Sequence, residues 1–375
     1  MSAGAALHRR LLTMDAHLDA PVHFGRPGWR FGDEHDLASD IAQLDLPRME
    51  DGNLSGGFFV TYVEQGLLDA AGYAAALSAA RARSDLIDAT IAAYPDRIGL
   101  ARTADDARRL HAAGRCIAFK SIENSSFVGD DVRCLAEFHA RDIRMAGPVH
   151  AITNQLADSA TGDARWGGLS PLGQDWLAEA NRLGIVVDAS HASDAAFDAL
   201  LAGSKAPIIL SHSGSRSAFD TPRNIDDDRL RALAAAGGVI GFATIFLCAM
   251  SVSPQRRALF RECGRVYELD TVAQRDLARR WRTLPEPMWG MDLDRCITAL
   301  LHVIDVAGID HVAFGADWDG GGGFPGLDDI SALPRITERL LKAGLNEDDL
   351  AKLWSGNLLR LVGAVQARAG ERGLT

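Results

Sequence analysis

The sequence predicts an α/β protein folded as a (β/α)8 barrel of the TIM-barrel type. Eight short apolar runs, mostly rich in β-branched or aromatic residues, recur at 11–15, 57–62, 116–122, 143–147, 185–189, 207–211, 239–243 and 312–316. They alternate little between apolar and polar, as strands buried on both faces of a parallel sheet do. Helical patterns separate them, and strand–helix alternation repeated in this way argues for a closed barrel. A doubly wound open sheet is the main competitor. No GxGxxG or GxxxxGK[ST] follows an early strand, so the nucleotide-binding forms of that sheet lack their signature.

In chain order, the first run leads into DAHLDAP, where His17 and Asp19 stand two apart and share one side of an extended segment. Pro21 helps turn the chain away. Residues 70–93 are Ala-rich with good helix formers. Residues 170–183 open SPLG, with Ser at a cap position and Pro in the first turn. The stretches 226–236 and 346–361 read similarly. The long segment 246–293, with Phe260, Tyr267, Trp281 and Trp289, predicts a helical excursion between strands seven and eight. Four glycines, 320–323, predict a flexible loop after the last strand. With no internal repeat and no low-complexity linker, one domain over 1–375 is expected.

Composition narrows the function classes. A formal charge of -11 argues against a nucleic-acid or anionic-membrane surface. No apolar run reaches the roughly 20 residues of a membrane helix, and no signal-peptide pattern opens the chain, so a cytoplasmic protein is expected. Cys116, Cys134, Cys248, Cys263 and Cys296 are scattered without a CxxC pair. They read as buried thiols rather than a disulfide framework or zinc finger.

Chemistry collects just past the predicted strands: His17 and Asp19, then Glu123, His150, His191, His212 and Asp317. Active sites of this barrel lie at the C-terminal ends of the strands, so these residues are expected to converge. Imidazoles and carboxylates are ligands for Zn²⁺ and similar ions. His17, Asp19, Glu123, His191 and His212 are more than one tetrahedral ion uses. A carboxylate can bridge two ions, and such a pair could hold a hydroxide between them. Each residue alone has an ordinary reading as a cap or surface group, and HxD alone is weak. Of the other histidines, 8, 111, 139 and 302 read as helical or surface residues, and His311 lies on the far side of the barrel. His23 and His35 are expected to be solvent-exposed. No GxSxG elbow is present, and no cysteine ends a strand facing the histidines.

These residues sit in motifs that make the chain similar to the membrane (renal) dipeptidase family, zinc peptidases among the amidohydrolase-like barrels. The motifs run nearly end to end: DAHLD, SIENS, IRMAGPVH with NxxxDS, the paired DASHAS and LSHSGSRS, TPRNIDDDRL, HVAFGADWDG and LWSGNLLRL. The resemblance implies a dipeptidase with two Zn²⁺ ions bridged by Glu123 and a water or hydroxide. His17 and Asp19 would bind one ion, and His191 and His212 would complete the other. His150 would polarise the scissile carbonyl, Arg223 would pair with the substrate α-carboxylate, and Asp317 would shuttle the proton. It also implies a small peptide substrate, often with a C-terminal D-residue, and a homodimer. Lys120 is a rival bridge, since some related barrels carry a carbamylated lysine there. Three residues from Glu123 in a strand, it should face the other way.

Two departures stand out. Asn124 follows Glu123 where family members often have Gly, and ATIFLCAM (243–250) lacks the Asn- and Tyr-containing pattern expected after strand seven. The second keeps an alternative open, an amidohydrolase of the same fold acting on N-acyl amino acids or a cyclic amide. A non-catalytic or biosynthetic relative would be expected to have lost ligands, and none is missing.

Overall fold

The computed structural model describes residues 2–249, 252–284 and 290–372; Met250 and Trp289, noted above, lie outside them. Among the described residues nine strands pair in parallel. They are β1 Met14–Leu18, β2 Gly56–Tyr62, β3 Ile98–Leu100, β4 Cys116–Glu123, β5 Ile143–Ala146, β6 Val186–Val187, β7 Ile209–Ser213, β8 Val239–Phe242 and β9 Val312–Phe314. Six form one sheet in the order β1-β2-β4-β5-β6 with β3 beside β4, and β7-β8-β9 form a second. Eight correspond to the predicted runs. The extra strand, β3, is three residues paired with the start of β4, too short for an apolar pattern to register.

The first strand lies at 14–18, not 11–15. Leu11 still belongs to the turn that closes helix Ala3–His8, its N–H bonding His8 O at 3.2 Å, and the β1–β2 ladder begins at Met14↔Gly56.

The sheets curl around shared apolar residues. Met14, Phe58, Ile117, Met145, Val186 and Ile209 cluster with Val239 and Ala313, one from each strand except β3. Leu358, Leu361, Val362 and Val365 of the C-terminal helix Asn357–Arg372 belong to the same cluster. That helix follows a π turn, Lys352–Gly356, which interrupts the helix expected over 346–361. Past the π turn, Asn357 Nδ2 donates to Ile309 O (2.7 Å) and Val312 O (2.8 Å), so the GNLLR motif ties this helix to the start of β9.

The ladder lapses at two seams, each crossed by a single parallel bridge: Leu18↔Trp318 between β1 and the end of β9, and Asp188↔Ile209 between β6 and β7. A buried carboxylate supplies bonds at both. Asp15 accepts from His17 N (2.9 Å) and, across the first seam, from Ala316 N (3.1 Å). Asp188 accepts from Ser190 N (2.9 Å) and, across the second, from Ser211 N (2.9 Å). Both satisfy amides that the sheet leaves unpaired.

Helices fill the crossovers close to expectation. Ala70–Ala92 is capped by Asp69, Pro171–Leu183 by Ser170 with a left-handed Gly184 at its end, and Asp227–Ala235 by Asp226. Between β8 and β9 lie the helices Pro254–Cys263, Thr271–Thr283 and Leu293–Ala307. The second reaches the loop after β1, Gln274 donating to Pro27 O at 3.4 Å and Arg282 to Leu37 O at 2.8 Å.

The described thiols are all free, three buried and two partly so. His8, His111, His139 and His302 sit on helices, His8 fully buried.

Candidate active site

The seven strand-end residues converge at the C-terminal ends of the strands. Three lie inside strands rather than just past them, because the ladders run further than the apolar runs suggest. His17 falls within β1, Glu123 ends β4 opposite Tyr62, and His212 lies within β7. Asp19, His150, His191 and Asp317 follow their strands.

Glu123 is the centre. Its Oε1 lies 2.9 Å from His191 Nε2, 3.4 Å from His212 Nε2 and 3.9 Å from His150 Nε2. Its Oε2 lies on the other side, 3.7 Å from His17 Nε2, which is 3.3 Å from Asp19 Oδ2. One carboxylate thus divides the donors into two groups. Those of His17, Asp19 and Asp317 lie within 4.8 Å of one another, as do those of Glu123, His150 and His191.

The donor atoms are poorly satisfied by one another. His17 Nε2 is buried and makes no hydrogen bond, and the Nε2 atoms of His191 and His212 face each other at 2.9 Å. Burial, with the nearby Arg223 charge for His191 and the His17 charge for His212, holds both imidazoles neutral, far below the ordinary histidine value. Burial also works against charge on His17, but the Asp19 and Glu123 carboxylates outweigh it and raise this imidazole to about 10. Glu123 is held well below the usual carboxylate range: burial opposes this, and the His17 and His150 imidazoles prevail. Asp317 is pushed well above that range by burial and by Asp19. Two neutral imidazoles whose nitrogens face each other beside Glu123 Oε1, and a third drawn to carboxylates beside Oε2, are a donor set that divalent cations fit.

Local backbone explains several of these placements. Asn124, His191 and Asp317 adopt φ of 66°, 67° and 69°, a region where non-glycine residues are uncommon. Asn124 holds it with its side chain, Nδ2 donating to Val63 O and Oδ1 accepting from Ser126 N and Asn154 Nδ2, each at 3.2 Å. The asparagine thereby fills a position that suits glycine. The four glycines form a packed turn rather than a flexible loop. The N–H groups of Gly320, Gly321 and Gly322 all bond Asp317 O, and Gly323 N donates to Thr244 Oγ1 at 2.8 Å. A Cβ on Gly320 would lie 2.2 Å from both Asp19 Oδ2 and Asp317 Oδ1, so only glycine lets these carboxylates approach.

Arg223 sits beside this centre, 5% exposed. Nη1 donates to Ser213 Oγ (3.0 Å) and Nη2 to His212 O (2.8 Å), Nε has no partner, and the Phe246 ring lies 5.7 Å away. No carboxylate of the described residues comes within ion-pair distance of it. Lys120 points out of the site, its Nζ 2.7 Å from Asp88 Oδ1 on helix Ala70–Ala92.

Sequence reasoning missed some neighbours. His23 is buried rather than exposed, Nε2 lying 3.3 Å from Asp319 Oδ1 and Nδ1 3.0 Å from Arg26 Nη1. His35 is partly buried and stacks on Trp29. Asp15, Asp188 and Ser211 also border the site. Their only signal was an aspartate two residues before His17 and three before His191, and a serine before His212.

Residues 1–373 match the family model described as membrane dipeptidase, peptidase family M19. The chain is 30% identical to dipeptidase verJ of Clonostachys rogersoniana over 366 residues, covering 94% of this chain and 84% of that one. Among solved structures, the probable dipeptidase PvdM of Pseudomonas aeruginosa superposes with a TM-score of 0.83 at 29% identity, covering 97% of this chain and 98% of the other. A metallopeptidase of Rhodobacter sphaeroides, liganded with a phosphinate mimic of the dipeptide L-Ala-D-Ala, does so with a TM-score of 0.72 at 25% identity, covering 95% and 99%.

Proposed function

The chain belongs to the membrane dipeptidase family, peptidase family M19, and from that membership we propose a binuclear zinc dipeptidase acting on short peptides with a free C-terminal carboxylate. The division of donors by the two oxygens of Glu123 carries the reading. His17 and Asp19 would hold one ion and His191 and His212 the other, with Glu123 offering one oxygen toward each. When bound, the two ions supply positive charge that acidifies a water and polarises the amide carbonyl.

The remaining roles belong to side chains. Arg223, a buried guanidinium with unused donors, takes the substrate carboxylate through its planar fork. That anchor favours dipeptides over longer chains. His150 stands 3.9 Å from Glu123 Oε1 with its ring against Tyr62 and steadies the oxyanion as the carbonyl becomes tetrahedral. Asp317, whose proton affinity is raised by burial and by Asp19, would in its ionised form take the proton of the attacking water and return it to the leaving amine.

The Rhodobacter sphaeroides relative's ligand, a mimic of L-Ala-D-Ala, supports acceptance of a C-terminal D-residue. The two seam bridges and the shared apolar cluster support a closed (β/α)8 barrel, with the helices after β8 as its excursion and residues 1–375 as one domain. No helix of the described residues is long and apolar enough to cross a membrane; a cytoplasmic homodimer is the assembly proposed.

A second reading, hydrolysis of N-acyl amino acids or a cyclic amide, draws on the segment after β8, which places the Phe246 ring beside Arg223. A panel of L,L and L,D dipeptides, N-acyl amino acids and cyclic amides with zinc-reconstituted enzyme separates the two. Turnover of dipeptides is expected, and silence on all of them would refute the first reading.

A further inference from the structure

The donors of His17, Asp188 and His212 also lie within 4.8 Å of one another. This group resembles a third cation site, but a hydroxyl fills its centre. Ser211 Oγ lies 2.5 Å from Asp188 Oδ2, 2.8 Å from His212 Nδ1 and 3.3 Å from His17 Nδ1. All four residues are buried.

Proton counting fixes the directions. Asp188 Oδ1 already accepts the N–H groups of Ser190 and Ser211 across the seam. Two oxygen acceptors lie within reach of the Ser211 hydroxyl, Asp188 Oδ2 at 2.5 Å and Ser190 Oγ at 3.4 Å, and its single proton points to the much nearer carboxylate oxygen. Ser211 Oγ is left with lone pairs, and both imidazoles must bring their own protons to it. We infer that Ser211, held by Asp188, is a positioning residue shared by two rings: it keeps the proton of both His17 and His212 on Nδ1 and aims both Nε2 atoms at Glu123. The ring centroids are 3.7 Å apart, yet His17 faces Glu123 Oε2 and His212 faces Oε1. One hydroxyl therefore orients a ligand of each ion. This last step rests on the ligand assignment proposed above. Ligating imidazoles commonly donate their second N–H to an outer partner, and here one partner serves two sites.

The test combines a measurement without metal and one with it. In the metal-free protein, ¹⁵N imidazole spectra should show His212 as the Nδ1–H tautomer. In Asp188→Asn the side-chain amide can donate to Ser211 Oγ while its oxygen keeps the seam bonds, freeing the hydroxyl proton for His212 Nδ1, and the tautomer should shift toward Nε2–H. Stepwise zinc binding, read by competition with a chromophoric chelator, should weaken at both steps in Ser211→Ala, by about 10- to 100-fold each. An Nε2–H tautomer of His212 in the wild type would overturn the inference. So would a Ser211→Ala protein with either zinc step unchanged. If the wild type binds no zinc but His212 carries its proton on Nδ1, the tautomer anchor stands and the metal assignment fails.

Discussion

Replacing Arg223 by Met removes a cation while keeping the length and much of the bulk of the side chain. The guanidinium has five N–H donors. The structure shows two bonds, to Ser213 Oγ and His212 O, and an Nε without a partner. A substrate carboxylate would meet the unused donors in a site only 5% exposed, where the charge is poorly solvated. Truncating one partner of such a buried, hydrogen-bonded pair costs about 2–5 kcal/mol. At 1.4 kcal/mol per factor of ten, kcat/KM for a dipeptide should fall roughly 30- to 4,000-fold. The control is the matching dipeptide amide, which offers no carboxylate. The wild type should process it poorly, and Arg223→Met should lose little more, giving a coupling energy close to the whole effect in a double cycle. Zinc content and thermal midpoint, measured alongside, guard against a displaced His212. If a folded, zinc-replete Arg223→Met loses the same factor on dipeptide and amide, the guanidinium does not recognise the carboxylate.

Other substitutions test the site's architecture. Gly320→Ala would put a methyl 2.2 Å from oxygens of Asp19 and Asp317. A displacement of about 1 Å at such groups can cost 100-fold, so kcat/KM should fall by about that much with little change in thermal midpoint; wild-type activity would contradict the close-approach argument. At Asn124, Ala forfeits the three side-chain bonds and faces the left-handed penalty of about 1–2 kcal/mol, whereas Gly forfeits only the bonds. Denaturant melts should rank wild type above Asn124→Gly above Asn124→Ala. His8 carries a pH signature far from the site. Burial lowers its imidazole from 6.5 to about 4, with Thr337 Oγ1 at 2.7 Å from Nδ1 and Gly52 O at 2.9 Å from Nε2. Between those values the unfolded chain binds the proton and the folded one does not. The stabilisation is therefore intact above pH 6.5 and lost as pH falls toward 4, by about 3 kcal/mol. Urea unfolding across that window should show a slope that His8→Gln flattens.

The ligand candidates were legible because polar groups at the ends of apolar runs have few structural reasons to recur. What stayed hidden follows from how the information is carried. Ile98–Leu100 is a strand because β4 offers it an edge, a long-range fact that three residues cannot encode. His17 was placed just past the first strand because the predicted run ends at residue 15, while the ladder with β2 continues to Leu18. Asp15, Asp188 and Ser211 have no periodicity; their meaning lies in amides and imidazoles that arrive from other strands. His23 was read as exposed because a histidine in a loop usually is, and its partners, Arg26 and Asp319, lie 293 positions apart in sequence. The π turn at Lys352–Gly356 was likewise invisible, and the bonds that Asn357 makes just past it, to Ile309 O and Val312 O, reach residues more than forty positions back in the chain.

The two seams give the centre a mechanical character. One arc of the structure, β1 to β6, brings His17, Asp19, Glu123, His150 and His191; the other, β7 to β9, brings His212, Arg223 and Asp317. Neither holds a working set alone. The reaction centre is thus a joint between two halves fastened at each edge by one bridge and one carboxylate. On the ligand assignment proposed above, the ion between His191 of one arc and His212 of the other would span that joint and act as a rivet, its binding free energy added to the cohesion of the pair. Filling that site and locking the frame would then be one thermodynamic event.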